Sequence, residues 1–201
     1  MLEWQQLSFG YDENLLFSDL KGSLLPGQWL MIRGPNGAGK SSLLRLLVGL
    51  MMPTQGQVLW QKLSIHQQGT LYHQQLLYLG HANGLTDVLT LEEQLAFDGH
   101  WTNSDTKGLQ EGMDRLQLDA WKHVPIAKLS KGQQRKAALL RLWYTQAKLW
   151  VLDEPFASLD QASTQGLQQC LARHLELGGL LILTSHQEVE LDQKRQIELI
   201  L

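Results

Sequence analysis

Nine residues, GPNGAGKSS from Gly34 to Ser42, have the composition and spacing to hold a run of phosphates. They fit the pattern G-x-x-x-x-G-K-[ST], with Gly34, Gly39, Lys40 and Ser41 at its defining positions and Pro35, Asn36, Gly37 and Ala38 between them. Glycine reaches backbone angles that other residues resist, so successive amide N–H groups can turn inward as a nest for anions. A helix opening at the end of the loop adds its positive N-terminus. Lys40 would then reach the β and γ phosphates, and the Ser41 hydroxyl would ligate Mg²⁺. A glycine-rich turn with an exposed lysine has the same letters but does not require a strand before it and a helix after it.

A second constellation is LWVLDEP, Leu149 to Pro155, in which four apolar residues precede Asp153 and Glu154. A carboxylate at the end of a buried strand can hold Mg²⁺ directly or through water. The acid beside it can polarise an attacking water. An exposed acidic turn would look similar in isolation, and the phosphate loop in the same chain favours the chemical reading. A third stretch, KLSKGQQRKAALLR from Lys128 to Arg141, starts a helix with Ser130 at the N-cap position. It holds no nucleophile, carboxylate or metal ligand, so its own sequence points only to a cap.

These groups need elements to position them. WLMIR (Trp29–Arg33), LLYLG, LWVLD and GLLILT read as buried strands, each separated from the next by helical patterns. That alternation implies an α/β fold of the P-loop NTPase (RecA-like) kind with a mainly parallel sheet. Ligands of such sheets bind beyond the carboxyl ends of the strands, where all three constellations fall. LEWQQLSFGY and the stretch from Leu15 onward read as strands with turns at YDEN and PGQ, an N-terminal antiparallel β region to which QVLWQ adds a strand. From about 81 to 128 short helical patterns between polar loops suggest a small helical subdomain, with 1–80 and 129–201 forming the core and the β region of one domain. SKGQQRKAALLRLWYTQAK reads as one helix and RQIELIL as a last strand.

Composition limits the alternatives. With 201 residues, 43% apolar and 18% charged, the chain can bury a sizeable core. A net charge of −3 with no Lys/Arg run argues against nucleic acid as partner. A single cysteine, Cys170, excludes a disulfide framework and suits a reducing compartment. No apolar run approaches the roughly 18 residues of a membrane span, and the start MLEWQQLS lacks the features of a signal peptide. The expectation is a soluble cytoplasmic chain whose membrane role, if any, comes through partners. His66, His73, His100, His123 and His174 show no metal-ligand spacing and are expected at the surface or in hydrogen bonds.

Taken in order, the motifs resemble those of the ATP-binding subunits of ABC transporters. Gly34–Ser41 resembles the family's Walker A loop, LSKGQ (Leu129–Gln133) its signature motif, LWVLDEP its Walker B strand with the catalytic glutamate, SLD (Ser158–Asp160) its D-loop, and His186 in ILTSH its switch histidine. Tyr11 sits where the family carries its adenine-stacking aromatic. Two positions depart from the pattern: His81 replaces the usual glutamine after LLYLG, and Lys131 replaces the first signature glycine. YHQQLLYLGHANGL, ALLRLW, LWVLDEPFASLD and GGLLILTSHQ are further similar to the CcmA-type subunits of haem exporters in cytochrome c maturation, where histidine in YLGH is the usual state.

The resemblance implies an ATPase that works with ATP and Mg²⁺ as a head-to-tail homodimer beneath integral membrane subunits, at the cytoplasmic face of the inner membrane. It implies Lys40 and the loop amides on the phosphates, and Ser41 and Asp153 on Mg²⁺ with His81 as a further candidate. Glu154 would activate water, and His186 would contact the γ-phosphate and hold Glu154. Ser130, Lys131, Gly132 and Gln133 would face the γ-phosphate of the other subunit, with Asp160 connecting the two sites. An ABC ATPase serving a different substrate, or an ATP-binding subunit that does not hydrolyse, stays open at this point.

Overall fold

The structure, a computed structural model, describes residues 1–12, 14–101 and 106–201, without the side chains of residues 99–101, 106 and 107. The side chain of His100 therefore lies outside the described residues. In chain order the elements are β1 (Leu2–Tyr11), β2 (Asn14–Leu24), β3 (Trp29–Arg33), α1 (Lys40–Leu47), β4 (Gln55–Trp60), β5 (Leu63–Ser64), α2 (Ile65–Gln68), α3 (Thr70–His73) and β6 (Leu76–Leu79). They continue with α4 (Leu91–Trp101), α5 (Thr106–Leu116), α6 (Lys131–Leu139), α7 (Arg141–Tyr144), β7 (Leu149–Asp153), α8 (Gln161–Glu176), β8 (Leu180–Thr184) and β9 (Gln196–Ile200), with short 3₁₀ turns between some of them.

Two sheets result. An antiparallel sheet has the order β2-β1-β4-β5, and a parallel one has the order β6-β7-β8-β3-β9. The three central parallel strands are buried on both faces, which explains their continuous apolar runs. Their side chains alternate between two cores. Met31, Trp150, Leu152, Leu181 and Leu183 pack with Leu167, Leu171 and Leu175 of α8. Leu30, Ile32, Leu149, Val151 and Ile182 pack with Leu43, Leu44, Leu46 and Leu47 of α1 and with the antiparallel sheet. This period of two is the geometry of a strand covered on both sides.

Two local expectations change. LLYL was expected to be a buried strand, yet three of its four residues are only half-buried because β6 is the edge of its sheet. SKGQQRKAALLRLWYTQAK was read as one helix, but it divides at Leu140 and ends at Tyr144, with Thr145 extended. The break tightens the chain locally: Trp143 N–H donates to Leu140 O, three residues back. Arg141 opens the shorter helix beyond it. Its guanidinium donates to Asp98 at 2.7 Å and to the carbonyls of Asn83 and Gly84, while Tyr144 Oη donates to the same Asp98. One cation thus ties α4 and α7 to the loop after β6.

At the N-terminal end of β7 the Trp150 indole stacks on His174, with ring centroids 3.7 Å apart. The imidazole is buried and its Nε2 lies 3.2 Å from Leu180 O. Burial pushes its pKa down to about 4. Gly179 lies against the same ring, where a Cβ would fall 2.2 Å from it, so a side chain there would break the stack. Among the described residues no helix is long and apolar enough to cross a membrane.

Candidate functional site

The strand β3 ends at Arg33, the chain loops through residues 34–39, and α1 starts at Lys40. Gly39, the N-cap of α1, has φ +98°, and a Cβ there would press to 3.2 Å on Leu16 and Phe17. Both the backbone angle and the space therefore select glycine. Lys40 Nζ folds back to donate to Gly34 O at 2.8 Å and Pro35 O at 3.1 Å, so the cation sits over its own loop. Gly34 packs under the loop against Leu201, and Ala38 N–H donates to Pro35 O.

Beyond this loop a cleft of 410 Å³ opens at the C-terminal ends of the parallel strands. Of the predicted residues it collects Tyr11, Asn36, Gly37, Gly39, Lys40, Ser41, Ser42, His81, Asp153, Glu154 and His186 along its walls. Tyr11 is half-exposed; its ring meets Phe9 edge-on and its hydroxyl lies 3.3 Å from Ser42 Oγ. It forms one wall of the cleft, as a base-stacking side chain must.

Asp153 is buried at the end of β7 with both carboxylate oxygens engaged. Ser41 Oγ donates to Oδ2 at 2.8 Å and Thr184 Oγ1 donates to Oδ1 at 2.7 Å. The Ser41 hydroxyl and Asp153 carboxylate are hard oxygen donors side by side at the cleft wall, a set that suits Mg²⁺. Among the described residues no group of three or more His, Cys, Asp or Glu side chains could hold a metal alone. An ion at this position would therefore draw its remaining ligands from phosphate oxygens and water.

Glu154 follows with φ +48°, in the left-handed region that non-glycine residues rarely occupy. Its amide donates to Thr184 Oγ1 at 3.0 Å, and its carbonyl accepts from Arg135 Nη2 at 3.0 Å. Its Oε2 accepts from the His186 backbone N–H at 3.2 Å. Oε1 is buried without a hydrogen-bond partner, and the exposed His186 imidazole has its Nε2 3.6 Å away. With no hydrogen bond from the protein, Oε1 keeps its acceptor capacity for a group bound at the cleft wall.

The signature residues lie outside this cleft. Ser130 caps α6 in a reciprocal capping box: Gln133 N–H donates to Ser130 Oγ at 3.2 Å, and Ser130 N–H donates to Gln133 Oε1 at 2.7 Å. Lys131 is exposed, and Gly132 packs so closely on the SLD turn that a Cβ would reach 3.0 Å from Ser158 O. Asp160 caps α8 by accepting from Ser163 N–H and forms an ion pair with Lys136 of α6. The Lys136 ammonium and the Ser163 amide hold its carboxyl down at about 2.

Three residues with a place here were not singled out from the sequence. Thr184 was passed over as the last letter of an apolar strand, although a lone hydroxyl at that end is itself a signal. Arg135 and Lys136 were assigned no role in the sequence. Both are buried, and a pair of cations directly before AALL was the available hint.

Comparison with known proteins agrees with the motif order. Residues 17–157 match the family model described as ABC transporter. The chain is 44% identical, over 97% of its length and 93% of the relative's, to the cytochrome c biogenesis ATP-binding export protein CcmA of Escherichia coli K12. A solved ATP-binding subunit of an ABC transporter superposes with TM-score 0.82 at 25% identity, covering 92% of this chain and 79% of the other. The dimeric bacterial ABC transporter cassette MJ0796 superposes equally well, with TM-score 0.82 over 100% of this chain and 94% of that one; at 19% identity it speaks for the fold alone. By sequence, fold and motif order the chain belongs to the ABC transporter family, as one of its ATP-binding ATPase chains.

Proposed function

We propose that this chain is the ATP-hydrolysing motor subunit of an ABC transporter complex that exports haem, or releases a haem–chaperone complex, in the biogenesis of c-type cytochromes. The observation that carries the finer reading is the 44% identity to CcmA along nearly the whole chain. His81 in YLGH, on the cleft wall, accords with it. The chain acts as one ATPase domain, with residues of about 81–128 as a helical subdomain beside a RecA-like core.

ATP lies in the cleft with its base against Tyr11 and its phosphates in the amide nest of Gly34–Ser42. Lys40 turns from the loop carbonyls to the outer phosphate oxygens. Ser41 and Asp153 would hold Mg²⁺, which would supply neutralisation of phosphate charge there. Glu154 accepts a proton from the attacking water at Oε1, and His186 steadies that carboxylate beside the γ-phosphate. Since phosphoryl transfer needs chiefly positioning and charge stabilisation, these few groups suffice on one side. The other side comes from a second copy. The exposed Ser130–Gln133 turn, with the N-terminus of α6 behind it, meets the γ-phosphate held by its partner, and Asp160 lies at the junction. The complex sits at the cytoplasmic face of the inner membrane beneath integral membrane subunits.

The test is recovery of the chain from detergent-solubilised membranes. A haem-handling membrane complex should copurify, and cells carrying only Glu154→Gln should lose c-type cytochromes. Copurification with a nutrient permease, with cytochromes intact, would assign the motor to another substrate.

A further inference from the structure

Arg135 is a buried cation in a helix whose first residues face solvent. Its guanidinium reaches the ends of two neighbouring parallel strands at once. Nη2 donates to Asp153 O at 2.6 Å and Glu154 O at 3.0 Å, beyond β7. Nη1 donates to Gly80 O at 3.1 Å and Asn83 Oδ1 at 3.2 Å, beyond β6. Burial works against the charge, and the carboxylates of Asp153 and Glu154 favour it. A guanidinium desolvated in this way is stable only because its planar fork meets acceptors on both sides.

What it grips is the strained point of the site. Glu154 has left-handed backbone angles, which persist only where surrounding bonds over-determine them. Thr184 holds its amide, and Arg135 and the Ala157 amide hold its carbonyl. The loop that Arg135 grips from the other side carries His81 into the cleft. The same helix is capped by Ser130, five residues earlier, and is braced on the SLD turn by Lys136 with Asp160.

We propose that Arg135 is a positioning residue for Glu154, fixing the carboxylate at the water position and linking it to the His81 loop and to the exposed signature turn of its own subunit. The assignment rests on the reading of Glu154 as the water-activating group. Any movement of α6 on meeting a second copy is passed by this guanidinium to the carboxylate of the same subunit, which gives the exposed turn a route to its own active site.

Arg135→Lys keeps the charge, but a single nitrogen cannot span both strand ends. In the full-length chain within its copurifying membrane complex, kcat should fall about 10–100-fold, the scale of a small misplacement of a catalytic group. The ATP dissociation constant should change by less than about threefold, because the phosphate loop is untouched. In Glu154→Gln the same substitution should have almost no further effect on the residual rate, since the group it acts through is gone. Asn83→Ala, which leaves Arg135 and the fold in place, should lower kcat a few-fold with unchanged ATP affinity and decides the matter if the lysine variant does not fold. Normal kcat in both variants, a loss confined to ATP affinity, or a full additive loss on top of Glu154→Gln would each overturn the proposal. Near-normal turnover by Glu154→Gln alone would instead remove the reading of Glu154, so the two failures are distinguishable.

Discussion

The cleft end of the parallel sheet and the tip of α6 are both polar, but they satisfy their polar groups in opposite ways. Around Asp153 every bond runs between elements distant in sequence: Ser41 from α1, Thr184 from β8 and Arg135 from α6. At the tip of α6 the bonds close on themselves, with Ser130 and Gln133 capping each other in full view of solvent. A buried polar group has to find a protein partner, whereas an exposed one can wait for a ligand. The first region is complete as a cleft within one chain. The second is a surface finished only as a helix end.

Glu154→Gln attacks the complete region at its reactive atom and should have the largest effect. Hydrolysis should fall about 10²–10⁴-fold with ATP binding retained, read by phosphate release and by nucleotide titration. Thr184→Val keeps the shape but leaves the buried Asp153 oxygen and the Glu154 amide without a partner. Urea unfolding should show a loss of about 3 kcal/mol. The opposite end of the same sheet provides a contrast in pH. The folded His174 pKa is near 4 against an ordinary 6.5, so its stabilising effect is complete above 6.5 and declines as pH falls toward 4, where the unfolded chain binds a proton that the folded one refuses. Between pH 7 and 5 this costs about 2 kcal/mol, and the dependence should disappear in His174→Gln.

Ser130→Ala tests the self-closed region. The lost cap costs about 1 kcal/mol, and ATP binding to the single chain should not change because the residue is outside the cleft. An altered ATP affinity in the isolated chain would break the comparison, while an ATP-dependent dimer weakened far beyond that cost would sharpen it. Lys136→Met has the smallest expected effect. Asp160, held at about 2 by its lysine, should titrate nearer its ordinary 3.8 by NMR. The ion pair favours the folded state above pH 3.8 and fades as pH falls toward 2, and because the aspartate is half-exposed its loss costs less than ~1 kcal/mol.

Much of the candidate site could be read in advance because its chemistry is local. The phosphate loop works through consecutive amides and a lysine six residues on, and a glycine pattern with a following KS encodes all of that in nine letters. The Asp153–Glu154 pair was legible for a similar reason, since a buried strand must stop somewhere and its last polar letters face the cleft. The parallel sheet followed from continuous apolar runs, while the half-burial of β6 did not, because edge position is a property of strand order rather than of LLYL itself. The break at Leu140 escaped as well, since Arg141 is drawn off by Asp98, more than 40 positions away.

By itself, then, the sequence determined which groups are capable of chemistry and which strands must be buried, because those depend on residue type and short spacing. Only the tertiary structure decided how those groups are held. It made Thr184 the bridge between Asp153 and Glu154, set Arg135 as a buried fork on two strand ends, and placed Glu154 in a left-handed turn with one carboxylate oxygen unpaired. Burial and hydrogen-bond partnership between distant segments are set by packing, and no short window of residues contains them.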